Sequence, residues 1–223
     1  MGVRCYAEKY CKRKIRGECS DHCDAYRLLR ALYRLSRLPE RYCYNIPLVP
    51  DNSDLDSFEY LNEFMKSIED HVDAGDGMYI WSERCGNGKT SWACKILSCY
   101  FRKIAFKSGL ENEGLYIYLP TFLDELRGSY DKDPDPEWIE LMDMLTNCRL
   151  LIVDDIGAEK NTEWVNERLL SIINTRMMKG LSTIYTSNCS PEELGARMGE
   201  RIKSRIKGST HEVHITGKDK RGR

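Results

Sequence analysis

Two hydrophobic patterns alternate along most of this chain. Short apolar runs at 78–81, 115–119, 150–153 and 182–186 predict strands, and 212–215 offers a fifth. Between them, apolar residues at helical spacing predict helices over 90–107, from Thr121 onward, over 136–147, over 163–179 and over 199–207. Ser190, Pro191 and Glu193 supply an N-cap, a first-turn proline and a capping-box glutamate, which opens one more helix. Strands that alternate with helices predict an α/β fold whose parallel sheet is covered on both faces. Upstream, Tyr26, Leu29, Leu32 and Tyr33 recur at helical spacing with arginines between them, which predicts a basic amphipathic helix over 24–38, ended by Pro39. The three prolines of 39–54 are linker chemistry. Leu55, Phe58, Leu61, Met65, Ile68 and Val72 then form one apolar stripe, predicting a single helix over 55–73. His71 lies beside it as a surface or packing residue. The expected organisation is a small module at 1–38, a linker at 39–54 and an ATPase domain at 55–223.

Composition narrows the class. With 41% hydrophobic and 31% charged residues the 223-residue chain is globular, and no apolar run is long enough to span a bilayer. The N-terminus lacks the apolar core of a secretory signal, and Tyr6 stands where a myristoylation signal wants Ser or Thr. A cytoplasmic protein without a membrane partner is expected. Charge is segregated: residues 1–40 carry ten Lys/Arg against five Asp/Glu, and 201–223 carry eight against two, around an acidic middle. Basic ends suit a polyanion such as single-stranded DNA, or an acidic protein surface; a solvated tail and helix face would give the same pattern.

The chemistry begins at Gly86–Ser91 (GNGKTS), which follows a predicted strand and opens a helix. Backbone N–H groups there, with the positive helix end behind them, form an anion cradle, and Gly86 and Gly88 let the backbone approach phosphate oxygens. Gly86, Asn87, Gly88, Lys89, Thr90 and Ser91 are the candidate nucleotide-binding residues. Lys89 would neutralise the β- and γ-phosphates, and the Thr90 hydroxyl would bind Mg²⁺. One position departs from the full glycine pattern: Glu83 stands six residues before the lysine. Its carboxylate either repels phosphate at the cradle's mouth or points to solvent.

A second string strengthens the case. RLLIVDDIG (149–157) is a buried strand ending in two aspartates, at the sheet edge where α/β proteins bind ligands. Buried charge there needs a cation or a water network. Asp154 would hold Mg²⁺ and Asp155 would act as general base on the attacking water. The 65-residue spacing between the two strings leaves room for one inserted strand–helix unit. IYTSN (184–188) ends at the same edge, where Asn188 would orient that water in an ATPase of this architecture and is otherwise turn chemistry. Arg201 and Arg205 lie four apart on one helix face; such an arginine reaches a neighbour's γ-phosphate if domains assemble side by side, and is otherwise a solvated basic residue.

GNGKT, LLIVDDIGAEK, TSN and RIKSRI, in this order, resemble the AAA+ ATPases, more narrowly the DnaC/DnaI-type bacterial and phage helicase loaders, with IstB-type transposition ATPases as cousins. LPERY (38–42) is similar to the same group, and the resemblance spans roughly 38–221, without a full helical lid. It implies a five-stranded sheet of order 5-1-4-3-2, ATP bound between self-associating subunits, and a hexameric replicative helicase as partner. By the same resemblance Asn188 is the sensor residue, Arg205 the arginine finger with Arg201 as second candidate, and Arg221 a nucleotide contact from the chain's end. Asp155 replaces a common glutamate and is one methylene shorter, which predicts slow turnover.

Cys5, Cys11, Cys19 and Cys23 crowd into 19 residues and could close a tetrahedral Zn²⁺ site, with His22 as an alternative ligand; free thiols are the other reading. Related loaders carry an N-terminal zinc module that contacts the helicase, so the resemblance makes this module and the 24–38 helix the partner-binding element. The expected function is an ATP-dependent helicase loader in DNA replication. Two alternatives stay open: a DNA-binding ATP switch serving a transposase or recombinase, and a degenerate ATPase acting only as a helicase-binding module.

Overall fold

Gly77–Trp81 (β1), Gly114–Tyr118 (β2), Leu150–Asp154 (β3), Ser182–Ser187 (β4) and Thr210–His214 (β5) form one sheet in the order β2-β3-β4-β1-β5. Every pairing in it is parallel. Counted from the β5 edge the order is 5-1-4-3-2, as the resemblance implies. This computed structural model describes residues 5–6, 11, 22–44, 46, 48–129, 136–158 and 162–220.

β1, β2, β3 and β4 are buried along nearly their whole length because both faces of the sheet are covered, while the edge strand β5 buries only Val213. Met78, Ile80, Leu150, Ile152 and Ile184 face one helical layer. Tyr79, Trp81, Leu151, Val153 and Tyr185 face the other. The first layer holds α1 (Asp24–Leu35), α2 (Glu40–Cys43), α3 (Leu55–Lys66), α4 (Ile68–Ala74) and α5 (Lys89–Ile104). The second holds α6 (Leu119–Ser129), α7 (Pro136–Asn147), α8 (Glu163–Met178), α9 (Pro191–Met198) and α10 (Glu200–Ser209). The capping box at Ser190 and Glu193 forms as its spacing predicts.

The stripe over 55–73 is two helices rather than one. The chain leaves helical geometry at Ser67, with φ −111° and ψ 33°. The break lets His71 stack on Phe64, with ring centroids 4.1 Å apart, while its Nδ1 lies 2.8 Å from Asp76. His71 is therefore a packing residue.

The N-terminal helix is joined to the first layer. Leu29, Leu32 and Tyr33 are buried in the same core as Phe101 of α5, and Tyr33 meets that ring edge-on. The described residues of 38–54 also lie against the body. Cys43 is buried, and Ser98 of α5 donates to the Tyr42 carbonyl. Asp54 is buried and accepts from the backbone N–H groups of Thr216 and Gly217. No helix among the described residues is long and apolar enough to cross a membrane.

Candidate functional site

Parallel strands place all their C-terminal ends on one edge, and β4 lies between β1 and β3. The glycine loop after β1, the aspartates ending β3 and the polar residues ending β4 therefore converge. Gly86 and Gly88 take positive φ values of 77° and 105°, a conformation that favours glycine and turns the loop back onto the start of α5. Asn87 is buried and closes the loop from beneath, donating to Ser82 Oγ and to the Ile215 carbonyl. Lys89 is also buried. Its Nζ donates to the Arg84 carbonyl at 2.8 Å and lies 3.4 Å from the Ser82 carbonyl and from Asn87 Oδ1. Those oxygens stand where the anionic oxygens of a ligand would compete for the ammonium group. Ser91 follows in the first turn of α5 and is half-buried.

Asp154 is buried and held by three hydroxyls. Thr90 donates to Oδ1 at 2.9 Å and Thr186 to the same oxygen at 2.6 Å, while Tyr116 donates to Oδ2 at 2.7 Å. The Thr90 hydroxyl beside the Asp154 carboxylate is an all-oxygen donor pair, which suits a hard divalent cation such as Mg²⁺.

Asp155 takes φ +67°, left-handed backbone that costs a non-glycine residue on the order of 1–3 kcal/mol. The turn re-aims its carboxylate. Oδ1 accepts from Asn188 Nδ2 at 2.8 Å, and Oδ2 lies 3.4 Å from the Tyr118 hydroxyl. Burial, reinforced by the neighbouring Asp154 charge, pushes the Asp155 pKa above the ordinary aspartate range. A carboxylate made more basic in this way is suited to accept a proton. Cys85 of the glycine loop lies 3.8 Å from Asn188 Oδ1.

Glu83 does not face the cradle alone. Its carboxylate pairs with His214 of β5 at 3.0 Å, and that imidazole stacks on Trp81 at 3.8 Å. A backbone N–H and His214 together hold the Glu83 pKa below the usual glutamate value.

Four of the predicted residues meet in this way: Thr90 with Asp154, and Asp155 with Asn188. Lys89 sits in the loop beside them. Arg201 and Arg205 are elsewhere, exposed on α10, whose Ile202 and Ile206 are buried. Arg201 lines a groove of about 580 Å³ between α8 and α10, with Asn166, Glu167 and Leu170 opposite. Cys5 is buried and Cys11 and Cys23 are half-buried, while Cys19 and Arg221 lie outside the described residues. Among the described residues, no three His, Cys, Asp or Glu side chains gather as metal ligands.

Sequence reasoning missed Tyr116, Thr186 and Asp219. Thr186 was legible as the polar break in IYTSN, but Tyr116 is one of two tyrosines in an apolar strand. Asp219 arrives only through the backbone path of the last segment, where Lys220 N–H donates to the Gly86 carbonyl and the Asp219 carboxylate packs against Gly86.

No family model matches the chain. The replicative helicase loader DnaI of Bacillus subtilis (strain 168) is 32% identical over 147 residues, which is 66% of this chain and 43% of that protein. The chain thus matches less than half the length of this relative. The crystal structure of the DnaC helicase loader superimposes with a TM-score of 0.61 at 21% identity, covering 80% of this chain and all of that one. The replication initiator DnaA bound to AMPPCP and single-stranded DNA superimposes with a TM-score of 0.60 at 18% identity, over 82% of this chain and 52% of that one. The chain resembles the helicase loader DnaI in sequence, and it shares the fold of the DnaC and DnaA structures.

Proposed function

We propose that this protein is an ATP-dependent loader that delivers a hexameric replicative helicase to single-stranded DNA during DNA replication. The observation that carries the nucleotide half of this reading is the convergence of Lys89, Thr90, Asp154, Asp155 and Asn188 on one sheet edge. The similarity to the helicase loader DnaI carries the partner half.

Each residue has a part. The loop from Gly86 to Gly88 and the first turn of α5 cradle the phosphates, and Lys89 exchanges its carbonyl partners for phosphate oxygens. Thr90 and Asp154 would hold Mg²⁺, whose charge offsets that of the β- and γ-phosphates. Asn188 orients Asp155, and Asp155 takes the proton of the attacking water. Asp155 reaches one methylene less far than glutamate, so turnover is slow, below ~10 s⁻¹. Arg205, with Arg201 as second candidate, would reach the γ-phosphate of a neighbouring copy; its exposure on α10 supports this assignment. Arg221 is assigned to the nucleotide by resemblance alone.

The N-terminal module is the helicase-binding element, with Zn²⁺ held by Cys5, Cys11, Cys19 and Cys23. The spacing of the cysteines supports this assignment. Basic residues at both ends would meet single-stranded DNA. The pairing of Glu83 with His214 weakens the case for a degenerate ATPase, since the carboxylate already has a partner on β5.

A pull-down with the full chain, with and without ATP, tests the whole reading. A hexameric helicase should be captured, and Cys19→Ser should lose it. Capture of a transposase instead would support the DNA-switch alternative. Helicase loading that survives Lys89→Ala would support a binding module that does not use ATP.

A further inference from the structure

Tyr116 stands on β2, next to the aspartate strand, with Tyr116 opposite Ile152 and Tyr118 opposite Asp154. Its ring packs in the same core as Ile152 and Trp92, and its hydroxyl rises one pleat to Asp154 Oδ2, 2.7 Å away. Thr90 and Thr186 both use the other oxygen. A Phe would fill the apolar space equally well, so packing alone gives no reason for the phenol. A tyrosine hydroxyl carries its proton at neutral pH, and a carboxylate oxygen can only accept, so the bond runs from Tyr116 to Asp154.

The same residue holds a second bond. The Tyr116 backbone N–H donates to the Ser36 carbonyl at 2.8 Å, in the turn that ends α1. That turn is tightly made. Ser36 is fully buried, its hydroxyl bonds the Tyr33 carbonyl and the Leu38 N–H, and Arg37 takes φ +55°. A displacement of α1 would therefore pull on the strand whose tyrosine restrains Asp154.

We infer that Tyr116 is a positioning residue of the magnesium site, orienting Asp154 and tying it to the turn after α1. The inference rests on the nucleotide-binding reading above. It adds a path by which a partner seated on α1 would alter affinity for the metal–nucleotide complex, and by which that complex would alter α1.

The test uses the full chain and a fluorescent ATP analogue, titrated with Mg²⁺ and, separately, in EDTA. Tyr116→Phe should raise the Mg²⁺ concentration for half-maximal binding about ten-fold, as expected for loss of a group that orients a metal ligand. Affinity in EDTA should stay within about two-fold, since Mg²⁺-free binding does not use the restrained oxygen. Tyr100→Phe is the control: it loses a buried tyrosine bond to Glu113 (3.2 Å), away from the site, and should leave the Mg²⁺ curve in place. Hydrogen exchange tests the tie. In wild type, Mg²⁺ and the analogue should slow exchange at 115–117 and across the turn after α1, and Tyr116→Phe should abolish the effect at the turn. A Tyr116→Phe curve that superimposes on wild type overturns the positioning role. Unchanged exchange at the turn in wild type overturns the tie. Wild type that fails to bind the analogue at all overturns the nucleotide reading itself and the inference with it, a failure distinct from the other two.

Discussion

Glu83 Oε2 lies 3.0 Å from His214 Nε2, so the residue that breaks the glycine pattern is engaged by the edge strand β5. Its carboxylate has a partner on the far side of β1 from Asp154. Glu83→Gly should leave ATP-analogue affinity within about two-fold, because an exposed ion pair contributes little. Equilibrium binding checks this, and a gain of ten-fold or more would show that Glu83 does repel phosphate.

Asn188 should matter to the rate rather than to binding. Its amide donates to Asp155 Oδ1 at 2.8 Å, whereas Lys89 donates to the Arg84 carbonyl and Thr90 to Asp154. Asn188→Ala should cut single-turnover hydrolysis by about 10–100-fold, the usual loss when the group orienting a functional carboxylate is removed. Nucleotide affinity should hold. A parallel loss of affinity would place Asn188 in the cradle instead.

The pH dependence follows from Asp155. Its pKa is raised, first by burial and then by Asp154. The folded state therefore keeps its proton to higher pH than the unfolded chain does. Stability from this group is present at low pH and is lost as pH rises from the ordinary aspartate value through the raised one. The hydrolysis rate has the opposite slope, falling as pH drops through the raised pKa and the base is protonated. Asp155→Asn should thus be inactive yet more stable at neutral pH, by about 2–4 °C in Tm if the gain is near 1 kcal/mol. A melt at pH 5 should show a smaller difference between the two proteins than one at pH 7.

Gly86→Ala tests the last segment as well as the loop. A Cβ there would strike the Asp219 carboxylate, and the backbone is at φ +77°. The strain alone is on the order of 1–3 kcal/mol. Binding of the analogue should fall about ten-fold or more, because the loop N–H groups that cradle phosphate lose their geometry. Pairing it with Asp219→Gly should relieve the collision but not the φ strain, so a full rescue would show that Asp219, not the backbone, sets the cost.

Most of the sheet was legible in the residues because β1 to β4 are buried on both faces, which favours apolar runs, whereas the edge strand β5 buries only Val213. All five runs became strands, within a residue or two of their predicted limits. The loop, the aspartate pair and Asn188 were legible for a related reason: each sits at the end of such a run, and parallel strands carry their ends to one edge. Helix 55–73 was misjudged because a continuous stripe does not reveal a break that keeps Leu61, Met65, Ile68 and Val72 buried on either side of it. What only tertiary structure decided are the contacts between distant segments. Tyr116 looked like one more β-forming aromatic until β2 was laid beside β3, and Ser36 had no visible role until its carbonyl met that strand. Glu83 had no visible partner until β5 brought His214 to it. Local pattern encodes burial; it does not encode which buried polar group finds which partner, and here those pairings hold the candidate magnesium aspartate in place.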